Sequence, residues 1–187
     1  MLEKLQELDF ELFKLVHHQL KNPLADFMTP WLRERFFWIP IYLLIFYWVV
    51  SQFQRRGLIF LAYTIGLIGF VNTFNSEVLK KSVQRLRPCR TPELTDVYHA
   101  LVDCGGGFSF PSSHAANHFA LAAFLYLVFN TRFQYPLFWF VWAASIALSQ
   151  VYVGVHFVSD VTFGALEGCG FAYLLYYFTY RKHPLTT

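Results

Sequence analysis

The chain is short of charge. Asp, Glu, Lys and Arg make up 14% of its 187 residues, where about a quarter is usual in soluble domains. It has no basic stripe. The net charge is +3 and the cations gather near one loop, so nothing favours nucleic acid as a partner. Three cysteines are too few for a disulfide scaffold. The histidines are too dispersed for a metal site, and nothing resembles zinc-ligand spacing. Residues 1–35 carry charges throughout and lack an uninterrupted apolar core, so no cleavable signal peptide is expected. The first apolar span then acts as the insertion signal.

Apolar residues fill the gap: 56% of the chain, with 22 Phe, 11 Tyr and 5 Trp. A soluble domain of this size cannot bury so many rings, but lipid can solvate them. The expected class is an all-α integral membrane helical bundle forming one domain, residues 1–187.

Residues 1–35 read as an amphipathic interfacial segment. Leu5, Leu8, Leu12, Phe13 and Val16 share a broad apolar face, Asn22-Pro23 breaks the helix, and a second amphipathic stretch runs from Leu24 to Trp31. Five spans follow, at about 36–53, 57–79, 112–129, 136–153 and 159–180. Turns are expected at Arg55-Arg56-Gly57 and at Asn130-Thr131-Arg132. Six spans is the alternative, with part of residues 5–31 dipping into the bilayer. Five spans put the N-terminus, the 80–111 loop and the 154–158 turn on one side. Of the fifteen Lys and Arg, only Arg55, Arg56, Arg132, Arg181 and Lys182 fall on the other side. The positive-inside rule would put the loop side in the cytoplasm. The Arg55-Arg56 and Arg181-Lys182 pairs abut spans directly, however, and the rule does not decide the orientation.

Three polar clusters stand at the span ends on that loop side. In the first, Lys80 and Arg87 are two helical turns apart, with Gln84 between them, and Pro88 stops the helix. A movable ammonium and a planar guanidinium together suit a tetrahedral oxyanion; a basic patch that attracts headgroups is the other reading. In the second, Pro111-Ser112-Ser113-His114 reads as a helix start preceded by three glycines, Gly105 to Gly107. Ser is a good N-cap, and first-turn amides bind phosphate. The alternative is a capped helix with an incidental His. In the third, His156 and Asp160 are four apart, so on a helix they share a face. A carboxylate that accepts the Nδ1 proton leaves Nε2 free as a nucleophile; the alternative is a His–Asp pair that only holds spans together. Asn72, Asn75, Glu77, Asn117, His118 and Glu167 read as interhelical or supporting partners. His17, His18, His99 and His183 read as surface residues. Cys169 reads as packing. Cys89 and Cys104 share the 80–111 loop and either pair, if it faces an oxidising compartment, or stay reduced.

Taken jointly, residues 80–160 resemble the type 2 phosphatidic acid phosphatase superfamily. That family's pattern is Lys, six residues, Arg-Pro; then Pro-Ser-Gly-His; then Ser-Arg, five residues, His, three residues, Asp. The resemblance implies a lipid phosphate phosphohydrolase of a bacterial inner membrane, with its active site facing the periplasm, which favours the Cys89–Cys104 pairing. It implies His156 as nucleophile forming a phosphohistidine, Asp160 as its orienting carboxylate, and His114 as general acid and then base. Lys80, Arg87, Ser112 and the backbone at Ser113 would hold the phosphoryl oxygens without a metal. The substrate would be a membrane lipid such as undecaprenyl diphosphate, lipid A 1-phosphate, phosphatidylglycerol phosphate or phosphatidic acid, and inorganic phosphate the product. Lipid phosphotransfer, or lipid-phosphate binding without turnover, are the alternatives. Two positions depart from the pattern. Ser113 replaces Gly, which matters if that position needs positive φ. Gln150 replaces Arg in the phosphate-binding set. Either Arg85, Arg90 or Lys81 compensates, or turnover is slow or selective, or Gln150 is not the natural residue.

Overall fold

The computed structural model describes residues 2–129, 131 and 134–182, with side chains from Lys4 onward. His183, Asn130 and Arg132 lie outside the described residues. The fold is all-helical. α1 (Leu2–Lys14) runs into a π-helical turn, Leu15–Gln19, and α2 (Pro23–Arg33) follows. Asn22 caps α2, its side-chain oxygen accepting from the Ala25 amide at 2.9 Å, and Pro23 takes the first position, where it needs no amide.

α3 (Arg35–Thr73) is two helices in one. At Gln54 the backbone turns to φ 50°, ψ −125°, and the chain reverses between 35–53 and 55–73. The turn is sharper than the expected Arg55-Arg56-Gly57 loop. Gly57 makes the reversal fit, because a Cβ there would lie 2.7 Å from the Val49 carbonyl oxygen. The helical run from Arg35 is the one described element long and apolar enough by itself to cross a membrane. α5 (Ser113–Phe129) and α6 (Phe138–Tyr152) are apolar but have 17 and 15 residues. Seventeen residues rise about 26 Å, so both are shorter than the spans read from sequence. α7 (Val158–Phe178) has 21 residues.

α5 and α7 form the centre. Gly164 and Gly168 let their backbones touch: a Cβ at Gly164 would lie 2.6 Å from the Ser112 carbonyl oxygen, and one at Gly168 only 2.1 Å from that of Ala116. Small residues at such crossings are what lets apolar helices pack closely in lipid. The crossing carries the amide of Ser112 onto the carbonyl of Asp160, at 3.1 Å. Packing thus joins the start of α5 to the start of α7. Gly168→Ala is expected to destabilise the protein by about 2 kcal/mol, because overpacking of about 3 kcal/mol outweighs a helix-propensity gain of about 1 kcal/mol. Gly170→Ala meets open space and should be neutral or slightly stabilising. Thermal unfolding in detergent measures both; equal melting temperatures would show that the crossing tolerates a methyl group.

His17 is not a surface residue but is fully buried. Its Nδ1 lies 2.6 Å from the Tyr152 carbonyl, and its Nε2 accepts from the His99 amide at 3.1 Å. His99 is itself half-buried, stacked on His17 with centroids 4.0 Å apart. Burial pushes the pKa of His17 down to about 4, which fixes it as a neutral clasp between α1, the loop and α6. His18 is exposed, as expected.

Candidate active site

The first cluster departs from its expected helix. A second π-helical turn, Phe74–Leu79, leads into the short α4 (Lys80–Val83). Gln84 is left-handed at φ 52° and ends it. Arg87 lies in extended backbone, at φ −77° and ψ 152°. Lys80 and Arg87 therefore do not share a helical face. They meet through the loop instead. Lys80 Nζ donates to the Phe108 carbonyl at 2.8 Å and Arg87 Nη1 to that of Cys104 at 2.6 Å. The loop closes on itself: the Ser109 amide donates to the Arg85 carbonyl at 2.8 Å, and Cys89 and Cys104 are joined with Cα atoms 6.0 Å apart. Positive φ at Gly105 and Gly107 lets the chain turn beneath Arg87.

The second cluster is a helix start. Ser112 is buried and its hydroxyl accepts from the Ala115 amide at 3.4 Å. Ser113 opens α5 with ordinary backbone; the only described non-glycine residues at positive φ are Gln54 and Gln84. Serine in place of glycine is therefore unstrained there. The amides of Ser113 and His114 are among those that a helix cannot satisfy internally. His114 occupies the first turn. His118, one turn on, bonds the Tyr42 hydroxyl at 3.0 Å and the His114 carbonyl at 2.7 Å, as a supporting partner.

In the third cluster His156 precedes α7 rather than riding on it. Asp160 is the third residue of α7 and caps it, accepting from the Phe157 amide at 2.8 Å. His156 Nδ1 faces Asp160 Oδ2 at 3.6 Å, an electrostatic contact longer than a hydrogen bond. That leaves Nε2 as the other nitrogen. Burial holds the imidazole below its ordinary range, with Asp160 opposing, so the ring is neutral and able to attack. Gln150 lies directly beneath: its carbonyl accepts from the amides of Val155 and His156 at 3.1 and 3.3 Å.

Asp160 is fully buried and has a strong partner the sequence reading assigned elsewhere. Arg85 Nη1 donates to its Oδ1 at 2.8 Å, and Ser109 donates to its Oδ2. Arg85 Nη2 reaches back to Asp9 of α1 at 2.6 Å. Asp9 also accepts from the amide of Ser159 at 2.9 Å and from its hydroxyl. Arg85 lies 4.0 Å over the Phe157 ring. It is therefore spent on carboxylates rather than free to replace a cation at position 150. Lys81 is paired with Glu77, and Arg90 donates to the Gly105 carbonyl. No spacing rule connects residues 9, 85 and 160; only the fold does.

His114 and His156 lie within electrostatic reach of each other and of Lys80. Lys80, Arg87, the start of α5 and the His156–Asp160 pair thus converge at one end of the bundle. Two imidazoles, two cations and first-turn amides at one end of a bundle are groups that can bind and transfer a phosphoryl group.

The chain has relatives among known proteins. The model of the PAP2 superfamily matches residues 57–184. A lipid A 4'-phosphatase of Bacteroides thetaiotaomicron is 33% identical over 185 residues, 97% of this chain and 81% of that protein. The crystal structure of a transmembrane PAP2-type phosphatidylglycerolphosphate phosphatase from Bacillus subtilis superposes with a TM-score of 0.72 at 24% identity, covering 95% of this chain and 87% of that one. The crystal structure of Aquifex aeolicus LpxE gives 0.60 at 26% identity, covering 89% and 93%.

Proposed function

This chain belongs to the PAP2 superfamily of membrane-bound lipid phosphatases, and on that premise we propose that it hydrolyses a lipid phosphomonoester through a phosphohistidine. The observation that carries the reading is the convergence of His156, Asp160, His114, Lys80 and Arg87 at one end of the helices. His156 Nε2 attacks phosphorus and forms the N–P bond as the P–O bond to the lipid breaks. His114 gives its proton to the leaving oxygen. It then takes a proton from water, which attacks the same phosphorus, breaks the N–P bond and releases inorganic phosphate. Lys80, Arg87, Ser112 and the amides at Ser113 hold the oxygens.

We further propose five membrane spans, formed by the two halves of α3 and by α5, α6 and α7, in a bacterial inner membrane. α1 and α2 lie at the surface, where Leu5, Leu8, Leu24 and Phe27 are exposed. The site would face the periplasm, an orientation that suits a disulfide in the active-site loop. A lipid A phosphate is the first substrate to test, since the relative identical at 33% bears that activity in its name. Undecaprenyl diphosphate and phosphatidylglycerol phosphate complete the panel. Inorganic phosphate release in detergent that saturates with lipid and is blocked by orthovanadate is the expected result. Lipid product without free phosphate would replace hydrolysis by transfer, and saturable binding without product would make the protein a binder.

A pH dependence follows from Lys80. Burial, then the positive charge of Arg87, push its pKa down to about 8, with Asp160 opposing. It is charged below that value and loses its charge above it. The alkaline limb of kcat/KM, which reports the free enzyme, should therefore lie near pH 8. Lys80→Arg keeps a cation far above that pH and should move the limb out. An unmoved limb would assign it to another group.

A further inference from the structure

Position 150 carries an amide where the family pattern has a cation, and Arg85, Lys81 and Arg90 are engaged elsewhere. Gln150 is fully buried, and neither its Nε2 nor its Oε1 has a hydrogen-bond partner among the described residues. Arg33 is half-buried. It is the last residue of α2, and its Nε is buried without a partner among the described residues. Arg87 Nε shares that state.

Two chains of contacts tie α2 to the elements that carry the site. α2 is fastened to the end of α6: the Tyr152 hydroxyl donates to Asp26 at 2.7 Å and accepts from the Asn22 amide at 3.1 Å. Tyr152 is two residues beyond Gln150. On the other side Trp38 Nε1 donates to the carbonyl of Leu32 at 2.8 Å. The Trp38 ring meets Trp142 edge-on at 5.7 Å, Trp142 meets His118 at 5.3 Å, and His118 stacks on His114 at 6.4 Å. Arg33 is close enough to Arg87 and to His114 for its charge to act on both. Half-buried cations gathered this way repel one another; near Arg33 the acid is its neighbour Glu34, and near Arg87 it is Asp160. A tetrahedral dianion offers both cations the oxygen acceptors that they lack.

We propose that Arg33 is a phosphate-binding residue of this active site, supplying from the interfacial helix α2 the cation that Gln150 does not. The inference rests on the phosphohydrolase reading, and it assigns a role in binding the transferred group to the N-terminal segment, outside residues 57–184.

The test uses the full chain in detergent with orthovanadate, which mimics the transferred group, as the probe. Arg33→Gln should weaken vanadate inhibition and lower kcat/KM by about ten- to a hundredfold, the worth of one charge-assisted hydrogen bond. Arg33→Lys keeps the charge but not the planar fork, and should lose less than Arg33→Gln. The double variant Arg33→Gln/Gln150→Arg should recover at least half of the logarithmic loss, because it returns a cation to the same anion. Melting temperature controls for folding. Arg33→Gln with wild-type vanadate affinity overturns the proposal, as do equal losses in the Gln and Lys variants, or a double variant that recovers nothing. If wild type releases no phosphate from any lipid of the panel, it is the phosphohydrolase reading that fails. Vanadate affinity in the Arg33 variants still reads the anion site separately.

Discussion

His156→Ala should reduce phosphate release by about ten-thousandfold or more, the scale seen when a covalent nucleophile is removed. The reason is chemical rather than structural. His156 is buried in the turn between α6 and α7, and its backbone amide, not its ring, is what holds to Gln150. Alanine leaves that turn intact while removing the ring nitrogen proposed to attack phosphorus. His114→Ala separates the two half-reactions. On the proposed mechanism it loses the group that protonates the leaving oxygen and activates water, a loss of about 10²- to 10⁴-fold, but keeps the proposed nucleophile. With an activated aryl phosphate it should accumulate phosphate covalently on the protein. That adduct should be labile to acid and stable to base, as a phosphoramidate is. A labelled adduct in His156→Ala, or retention of its turnover, would remove His156 from the role of nucleophile.

Arg85→Ala is expected to cost about 3–5 kcal/mol of stability, the penalty for stranding a buried charge. The substitution strands two. Asp9 is 5% exposed and Asp160 is fully buried, and each loses its cation together. Lysine cannot rescue it, because one ammonium cannot reproduce the fork that spans two carboxylates on different helices. Adding Asp9→Asn to Arg85→Ala removes one stranded charge and should recover part of the loss. Denaturation in detergent reads both effects. An Arg85→Ala protein as stable as wild type would mean that the two carboxylates find other partners.

These two residues also mark the limit of what sequence makes legible. His156 and Asp160 could be found because their spacing is local. Ser112 could be found because a helix start has its own chemistry. The pairing of Lys80 with Arg87 was readable as spacing, but not its geometry. A left-handed glutamine at position 84 breaks the helix, and no residue preference announces it, since Gly or Asn is the usual choice there. His17 was misread because a π-helical turn inserts an extra residue per turn. That rotates the ring inward from a stretch of Lys and His that reads as surface. Asp9 and Arg33 carried no signal at all. Each is one charge on an amphipathic helix, and only the docking of α1 and α2 gives it a partner or a neighbour.

That docking bears on where a working fragment can begin. A protein trimmed to the 57–184 region would keep every residue of the recognisable signature. It would still lack the carboxylate that steadies Arg85 from outside and the imidazole wedged beneath the loop. Recombinant versions of this phosphatase, and chimaeras that graft its signature onto another N-terminus, need the first thirty-odd residues as structural cargo.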